Sequence, residues 1–401
     1  MSRDVEPSVS VVMPVFNGES HLRESIDSIL SQTLTNFKFI VVDDGSTDGT
    51  ATILRSYNDP RLTIVRHETN RGIVAALNAG VRIARSDLIA RQDADDVSLA
   101  QRLERQVAYM SRHPEVDLLA AHFIKINETG TEWGKSGSLL TTDLELKWAL
   151  LFGNQFTHSS VIFRRQAYER GLRYRELDVH AEDYGLWSRI SRFGSMSVLP
   201  ELLIKYRYSS NSITGRYNAI MSASALKISA DAIQHVAQRQ LGETKIRLLQ
   251  MIWTADSEWL SAYYSDRHHS AEINQLRAVL KELIDGFCLS NSPSSEAGHK
   301  FRKHARLAYA RRILRSASKM SGHHDRKWEA NWAMFFLCWT GLVVAPELVL
   351  SGALYRTFAH LFVGTYAKGW NAAKASVPRR ARQAMRRPFI SRGHSTTNEL
   401  Q

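Results

Sequence analysis

The feature that most constrains this 401-residue chain is an alternation across its first 125 residues. Short apolar runs, polar clusters and amphipathic stretches follow one another in a fixed order. Ser8–Met13 predicts a strand that ends at Pro14, and Glu19–Gln32 sets Leu22, Ile26, Ile29 and Leu30 at helical spacing. Strands are then expected at Phe37–Val42, Leu62–Val65 and Leu88–Ala90, and helices at Thr47–Ser56, Ile73–Ala84 and Leu99–Met110. Strands alternating with helices of this length imply βαβ units and an α/β fold with a mainly parallel sheet. Right-handed crossovers follow, and the ligand crevice of such a sheet lies at the carboxyl ends of its strands. Polar clusters stand at three of those ends: Phe16-Asn17-Gly18, Asp43-Asp44-Gly45-Ser46 and Asp93-Ala94-Asp95-Asp96.

Beyond residue 126 the pattern is mixed. Glu128–Ser138 is rich in turn residues, Asp143–Phe152 and His180–Phe193 suggest helices, and Ser160–Phe163 and Leu202–Tyr208 suggest strands. After Thr214 the chain turns all-helical, over Asn218–Gln240, Thr244–Trp259 and Ala271–Phe287. The expected organisation is an α/β domain over 1–215, a helical region over 216–289, a Ser- and Pro-bearing linker over 290–298, a basic helical region with an apolar segment over 299–367, and a basic, disordered tail over 368–401. Two cysteines, Cys288 and Cys338, make neither a disulfide framework nor a four-ligand zinc site. Met1–Pro7 lacks the apolar stretch of a secretory signal.

Each acidic cluster admits a plain structural role and a chemical one. Asp93 and Asp95, two apart on an extended end, point the same way. With Asp96 they repel one another unless a cation binds, and Mg2+ or Mn2+ bridging carboxylate to phosphate is the natural partner. The plain alternatives are a solvated acidic turn, or Asp96 capping the following helix. In Asp43-Asp44-Gly45-Ser46-Thr47, Gly45 permits a tight turn and Ser46 or Thr47 suits a helix cap. Neither role explains two acids at the strand end, where a carboxylate can accept from a ribose hydroxyl or a base N–H. Glu182-Asp183 stands in a first helical turn, which the helix dipole favours; the chemical alternative is a general base presented to the crevice.

Four segments in order, SVSVVMPVFNGESHLRESIDSILSQT, FIVVDDGSTDGT, NRGIVAALNAGVRIARSDLIARQDADD and AEDYGLW, closely resemble the family 2 glycosyltransferases of the GT-A fold. The likeness runs from about Ser8 to about Thr214. It implies a GT-A nucleotide-sugar-binding domain followed by a helical C-terminal region, and an inverting, metal-dependent transfer from a nucleoside-diphosphate sugar, UDP-linked first of all. By resemblance, Pro14 and Phe16 border the base, Asp44 accepts from base or ribose, and Asp93 lies near the ribose and the metal-bound diphosphate. Asp95, with Asp93, holds the metal, and Asp183 is the catalytic base, with Glu182 in support. Arg71 falls in the donor-side loop, facing phosphate or solvent, and Asn78 in the helix beyond it. Thr157-His158-Ser159-Ser160 resembles a family segment bordering the active site, with His158 part of that border or simply packed. The family's frequent Tyr-Arg-x-His reads Tyr206-Arg207-Tyr208-Ser209 here, which leaves any phosphate or metal contact from that loop open, with Arg207 a candidate phosphate neighbour.

Charge separates the two halves. Residues 217–401 carry 26 Lys and Arg against 13 Asp and Glu, whereas residues 1–216 carry 26 against 27. Ala333–Ala345 is apolar but too short to span a bilayer of about 20 helical residues, and Pro346-Glu347 separates it from Leu348–Leu354. With the basic tail, this suits an anionic membrane surface; the alternative is a helical domain packing its own apolar stretch. The expectation is a peripheral enzyme on the cytoplasmic face of the cell membrane. It would act on a glycan or lipid-linked acceptor in envelope polysaccharide assembly and have no nucleic-acid partner, since no zinc-finger or RNA-binding signature accompanies the charge. Two rival readings share the fold: a non-catalytic nucleotide-sugar-binding scaffold, and a nucleotidyltransferase, which would want a Gly-rich basic loop after the first strand. Met13–Gly18 has no such loop.

Overall fold

The computed structural model describes residues 6–309 apart from 138–139, 141, 179, 209–217, 238–239, 255–269, 292–293, 295, 304 and 307–308. These all belong to one compact unit, residues 1–345, and a second unit spans 346–401. The apolar segment 333–354, the tail 368–401 and Ser209 lie outside the described residues.

The first half follows the alternation closely: β1 (Val9–Val15), α1 (Leu22–Leu30), β2 (Phe37–Asp43), α2 (Thr50–Arg55), β3 (Leu62–Arg66), α3 (Ile73–Ile83), β4 (Leu88–Arg91), β5 (Val97–Ser98) and α4 (Arg102–Arg112). Then come β6 (Val116–Ile126), β7 (Glu132–Ser136), α5 (Asp143–Leu150), a 3-10 turn (His158–Ser160), β8 (Ile162–Arg164), α6 (Arg165–Arg170), α7 (Glu182–Ile190) and β9 (Ser195–Arg207). The described helices beyond are α8 (Asn218–Ala237), α9 (Glu243–Thr254) and α10 (Ser270–Asn291). One mixed sheet has the order β3-β2-β1-β4-β8-β6-β9-β5, with β7 on the flank of β6. β3-β2-β1-β4 and β6-β9 pair in parallel; β8, β5 and β7 join antiparallel.

Both faces are covered, which is why β1 and β2 are continuously apolar. Val9, Val11, Met13, Phe37 and Phe39 pack on α1 and α4 through Leu22, Ile26, Ile29 and Leu103. Val12, Ile40 and Val42 pack with Leu77 and Val81 of α3, in a core that continues to Trp187 and Leu186 of α7. At Gly80 an added Cβ would lie 2.5 Å from a Val12 methyl, so α3 sits closer to β1 than an alanine allows.

Several boundaries differ from the sequence expectation. β1 runs through Pro14 to Val15: β4 pairs with β1 only as far as Val12, so the missing proline N–H falls where that neighbour has ended. β6, eleven residues long and central to the second half, was not anticipated, and the turn-rich stretch 128–138 contains its hairpin partner β7. β9 starts at Ser195 rather than Leu202. α10 continues to Asn291, and helix resumes at Glu296, so the expected linker 290–298 is shorter. The C-terminal helices pack on α5 through an aromatic cluster in which Trp148 meets Phe287, Phe301 and Trp253. Among the described residues no helix is long and apolar enough to cross a membrane.

Candidate active site

The ends of β1, β2 and β4 supply the first parts. Asn17 takes the left-handed conformation (φ 51°). Its backbone N–H donates to Ser46 Oγ at 2.9 Å and its Oδ1 accepts from Thr47 N–H at 2.8 Å, stitching the loop after β1 to the loop after β2. Pro14 is buried in β1, and Phe16 stands 47% exposed beside that junction. Gly45 has φ 75°, and a Cβ there would come 2.5 Å from the Thr69 carbonyl carbon, so glycine is needed for residues 69–70 to close over the turn. Buried Asp44 holds that closure. Its Oδ1 accepts from Arg71 N–H at 3.0 Å and meets His67 Nδ1 at 2.6 Å, and its Oδ2 accepts from Gly72 N–H at 2.7 Å. Asp44 therefore shapes the Asn70-Arg71-Gly72 loop, and Arg71 itself is exposed.

β4 ends in a buried Arg91 ion-paired with Asp93. Ser159 locks Asp93 from the other side: its hydroxyl donates to Asp93 Oδ2 at 2.8 Å and accepts from Asp93 N–H at 2.9 Å. Burial first, and the neighbouring Asp93 second, push the Asp95 carboxyl up to about 6. Asp96 is fully buried and raised well above the usual carboxylate range, by burial and then by Asp95 and Asp93. It does not cap a helix. Its Oδ1 accepts from Arg207 N–H at 2.8 Å, and its Oδ2 has no hydrogen-bond partner among the described residues.

The third part arrives on α7. Glu182 and Asp183 occupy its first turn, next to positive helix-end charge. Asp183 Oδ1 accepts from Tyr184 N–H at 2.6 Å and Oδ2 from Asn154 Nδ2 at 2.7 Å. Burial pushes Asp183 up to about 6, against those two hydrogen bonds. Burial, then Asp183, push Glu182 up to about 7. Arg91 lowers and Asp93 raises the pKa of both acids, and the same pair acts on Asp95. Of these acids Asp93 alone contacts Arg91, and the acids after β4 and those of α7, distant in sequence, share the field of that buried guanidinium.

Other expected neighbours take structural roles. His158 is buried, 3.0 Å from the Tyr174 hydroxyl, and burial holds it well below its usual pKa, so it is a packed neutral histidine. Asn78 Nδ2 donates to the Tyr174 carbonyl at 3.0 Å, and its Oδ1 accepts from Tyr168 OH at 2.5 Å. Arg207 is not free for phosphate. Its guanidinium donates to the backbone carbonyls of Asp95, Asn127 and Glu128 and pairs with Glu24, tying the acidic loop to β9 and the β6–β7 turn. Sequence reasoning missed Arg91 and Asn154 as parts of the site, and placed Ser159 only within the bordering segment Thr157-His158-Ser159-Ser160, without its bonds to Asp93. Only Arg91 left a signal, a basic residue between an apolar strand and an acidic run.

Among the described residues no three His, Cys, Asp or Glu side chains close around one point. Carboxylates in such number, raised in pKa and with a buried unpartnered oxygen, fit a divalent cation that completes its shell with substrate phosphate and water. Asn154, the partner of Asp183, also lines a cavity of about 290 Å3, with Phe156, Thr157, Ala121, Phe123 and Val198 among its other walls.

Residues 10–172 match the model of glycosyl transferase family 2. An uncharacterized glycosyltransferase of Haemophilus influenzae is 32% identical over 240 residues, 57% of this chain and 74% of that protein. The chain belongs to glycosyl transferase family 2. The amylovoran biosynthesis glycosyltransferase AmsE of Erwinia amylovora is 34% identical over 212 residues, 52% of this chain and 79% of that relative. Among solved structures, S. aureus TarS 1-349 in complex with UDP-GlcNAc superposes with a TM-score of 0.52 at 18% identity, covering 86% of this chain and 92% of that one. The family fold is GT-A, a mainly parallel mixed sheet with a helical region after it.

Proposed function

We propose that this family 2 glycosyltransferase is an inverting, divalent-metal-dependent enzyme. In this reading it moves a sugar from a nucleoside-diphosphate sugar to a glycan or lipid-linked acceptor in cell-envelope polysaccharide assembly. The observation that supports the reading is the Arg91–Asp93 ion pair at the carboxyl end of β4, whose charges act on Asp95, Glu182 and Asp183 alike. The likeness to AmsE supports the polysaccharide assignment. TarS, which shares the fold, is solved with UDP-GlcNAc, and UDP-sugars are therefore the first donors to test.

Each part of the chain has work in that reaction. The loops after β1 and β2, with Pro14, Phe16 and the Asp44-braced loop at Arg71, form the nucleoside side. Asp95 and Asp93 are the residues that would hold Mg2+ or Mn2+, and the ion would supply charge neutralisation for the departing diphosphate. Arg91 and Ser159 fix Asp93 for that task. Asp183 takes the proton of the acceptor hydroxyl as its oxygen bonds to the anomeric carbon and the nucleoside diphosphate leaves. One displacement inverts the centre, and no covalent sugar–enzyme intermediate is required. Held at about 6, Asp183 is mostly ionised at neutral pH yet a better base than an exposed aspartate. The basic second half and the segment 333–354 support a peripheral seat on an anionic membrane surface.

Thermal denaturation against nucleoside diphosphates and nucleotide-sugars, with Mn2+ or EDTA, tests the donor side, because a ligand of the folded state raises its stability by mass action. The reading expects a metal-dependent shift with at least one nucleotide. No shift with any nucleotide would reject it.

A further inference from the structure

The ends of β6 and β9, with the flanking β7, carry a group of aromatic rings that the donor chemistry does not use. Phe123 and Lys125 lie two apart on β6, Tyr206 is the register partner of Lys125 on β9, and Tyr208 follows two residues later. The two-residue period of strands puts all four on one face. Their rings form a chain: Phe123 meets Tyr206 at 5.5 Å, Tyr206 meets Tyr208 at 5.0 Å, and Tyr208 meets Trp133 of β7 at 5.2 Å, each edge-on. Lys125 Nζ lies 5.1 Å from the Trp133 centroid and 5.6 Å from that of Tyr208, bracing the two rings. Trp133 is 54% exposed and Tyr208 43%, so the outer end of the chain is open to solvent. The inner end, half-buried Phe123, lines the cavity that Asn154 shares, and Asn154 donates to Asp183.

We propose that Trp133 and Tyr208 form a shelf that stacks a sugar ring of the acceptor glycan and guides the chain along Phe123 toward the cavity that Asn154 lines. This rests on the glycosyltransferase reading and adds the place and chemistry of acceptor recognition. A pyranose ring turns a face of C–H bonds outward, and that face packs against the electron-rich face of an aromatic ring. Two large exposed rings next to an apolar surface are otherwise an unfavourable thing to leave in water. Position favours a glycan over the donor nucleotide. The shelf borders the acidic loop through Arg207 and reaches Asn154, the partner of Asp183, through the cavity that Phe123 lines, whereas the nucleoside loops after β1 and β2 lie at the opposite part of the sheet order. It also favours a glycan over a lipid surface, since the rings lead into a cavity lined by the partner of the proposed base.

The test uses the full-length chain on an array of purified bacterial polysaccharide fragments, with UDP and Mn2+ present, comparing wild type with Trp133→Ala, Trp133→Phe and Tyr208→Ala. Trp133 sits exposed on a hairpin, so melting temperature should hardly change, and Trp133→Phe keeps an aromatic face if alanine disturbs the hairpin. The expected result is that wild type retains at least one fragment, Trp133→Ala and Tyr208→Ala weaken that binding by about tenfold, Trp133→Phe largely restores it, and the UDP-induced thermal shift is the same in all four. Equal glycan binding by wild type and Trp133→Ala overturns the proposal. So does a wild type that binds UDP but no fragment, or a Trp133→Ala loss seen only with liposomes of anionic phospholipid. Absence of any nucleotide-induced shift would instead reject the underlying glycosyltransferase reading.

Discussion

The Asp183→Asn variant separates function from stability, and the structure sets both magnitudes. Burial raises the Asp183 carboxyl from 3.8 to about 6. A tenfold change in ionisation is worth about 1.4 kcal/mol, so the ionised carboxylate costs the fold ~3 kcal/mol at neutral pH. The side chain keeps a partial opening to solvent, and screening brings this to ~2 kcal/mol. Asparagine removes the charge but accepts through one oxygen only, so either Tyr184 N–H or Asn154 Nδ2 loses its acceptor, at about 1 kcal/mol. Asn154 cannot simply turn over, because its Oδ1 accepts from Phe156 N–H at 3.1 Å. The net expectation at pH 7.5 is a variant more stable by about 1 kcal/mol. The sign depends on pH. A carboxyl with a raised folded pKa binds its proton more tightly in the native state, so its destabilising effect is absent below the unfolded value near 4 and complete above about 6. At pH 4.5, between the two values, roughly a third of that cost remains, so the variant should lose its advantage and stand close to wild type. Sugar transfer should fall by about 10^2 to 10^4-fold, the usual worth of a general base. Urea denaturation in EDTA at the two pH values, paired with a transfer assay, reads both effects. A variant less stable than wild type by the same amount at both pH values would refute the electrostatic argument, and undiminished transfer would refute the base assignment.

Other consequences are open to direct measurement. Asn154→Ala removes a hydrogen bond that lowers the Asp183 pKa, so the acid limb of the kcat/KM profile, expected near pH 6 in wild type, should move to higher pH. An unmoved limb argues against Asp183 as its source. Arg91→Met strips the buried cation from Asp93 and from the Glu182–Asp183 pair, and leaving such charges unpaired should cost about 3–5 kcal/mol in chemical denaturation. In EDTA, the triple variant Asp95→Asn, Glu182→Gln, Asp183→Asn should gain stability relative to wild type as pH rises from 4 to 7, because those carboxyls have raised folded pKa values while the opposing neutral His158 is common to both proteins; a stability difference that does not change over that range would contradict those environments. Gly45→Ala, forced to φ 75° against Thr69, should lower stability by more than 1 kcal/mol, read as a drop in melting temperature, together with weaker nucleotide binding.

The βαβ half was legible because its strands are buried on both faces and its helices keep the helical period, so Val9–Val15 and Ile73–Ile83 lie within a residue or two of expectation. β6 was not, because Val116–Ile126 mixes paired apolar residues, Leu118-Leu119 and Ala120-Ala121, with no two-residue alternation. It is buried between β8 and β9, where pattern cannot tell strand from helix. β7 hid in a stretch of Gly and Ser that suits a turn as well as an edge strand. Within the site, the acids stood out because carboxylates at strand ends need a reason. Asn154 did not, since nothing local in an asparagine says that it will reach a carboxylate 29 residues away; Ser159 stood in the expected bordering segment, but its reach to Asp93, 66 residues away, was not legible. Arg207 was visible as a cation, but its commitment to four partners is a property of the folded β6–β7 turn.

The central claim is that Asp95 serves donor binding and Asp183 serves proton removal within one site. Calorimetric titration of UDP with Mn2+, together with turnover of the matching UDP-sugar, measured on wild type, Asp95→Asn and Asp183→Asn, tests it directly. The account predicts metal-dependent binding in wild type and Asp183→Asn, its loss in Asp95→Asn, and turnover in wild type alone. Binding that ignores Mn2+ and survives Asp95→Asn, or turnover that survives Asp183→Asn, would contradict it.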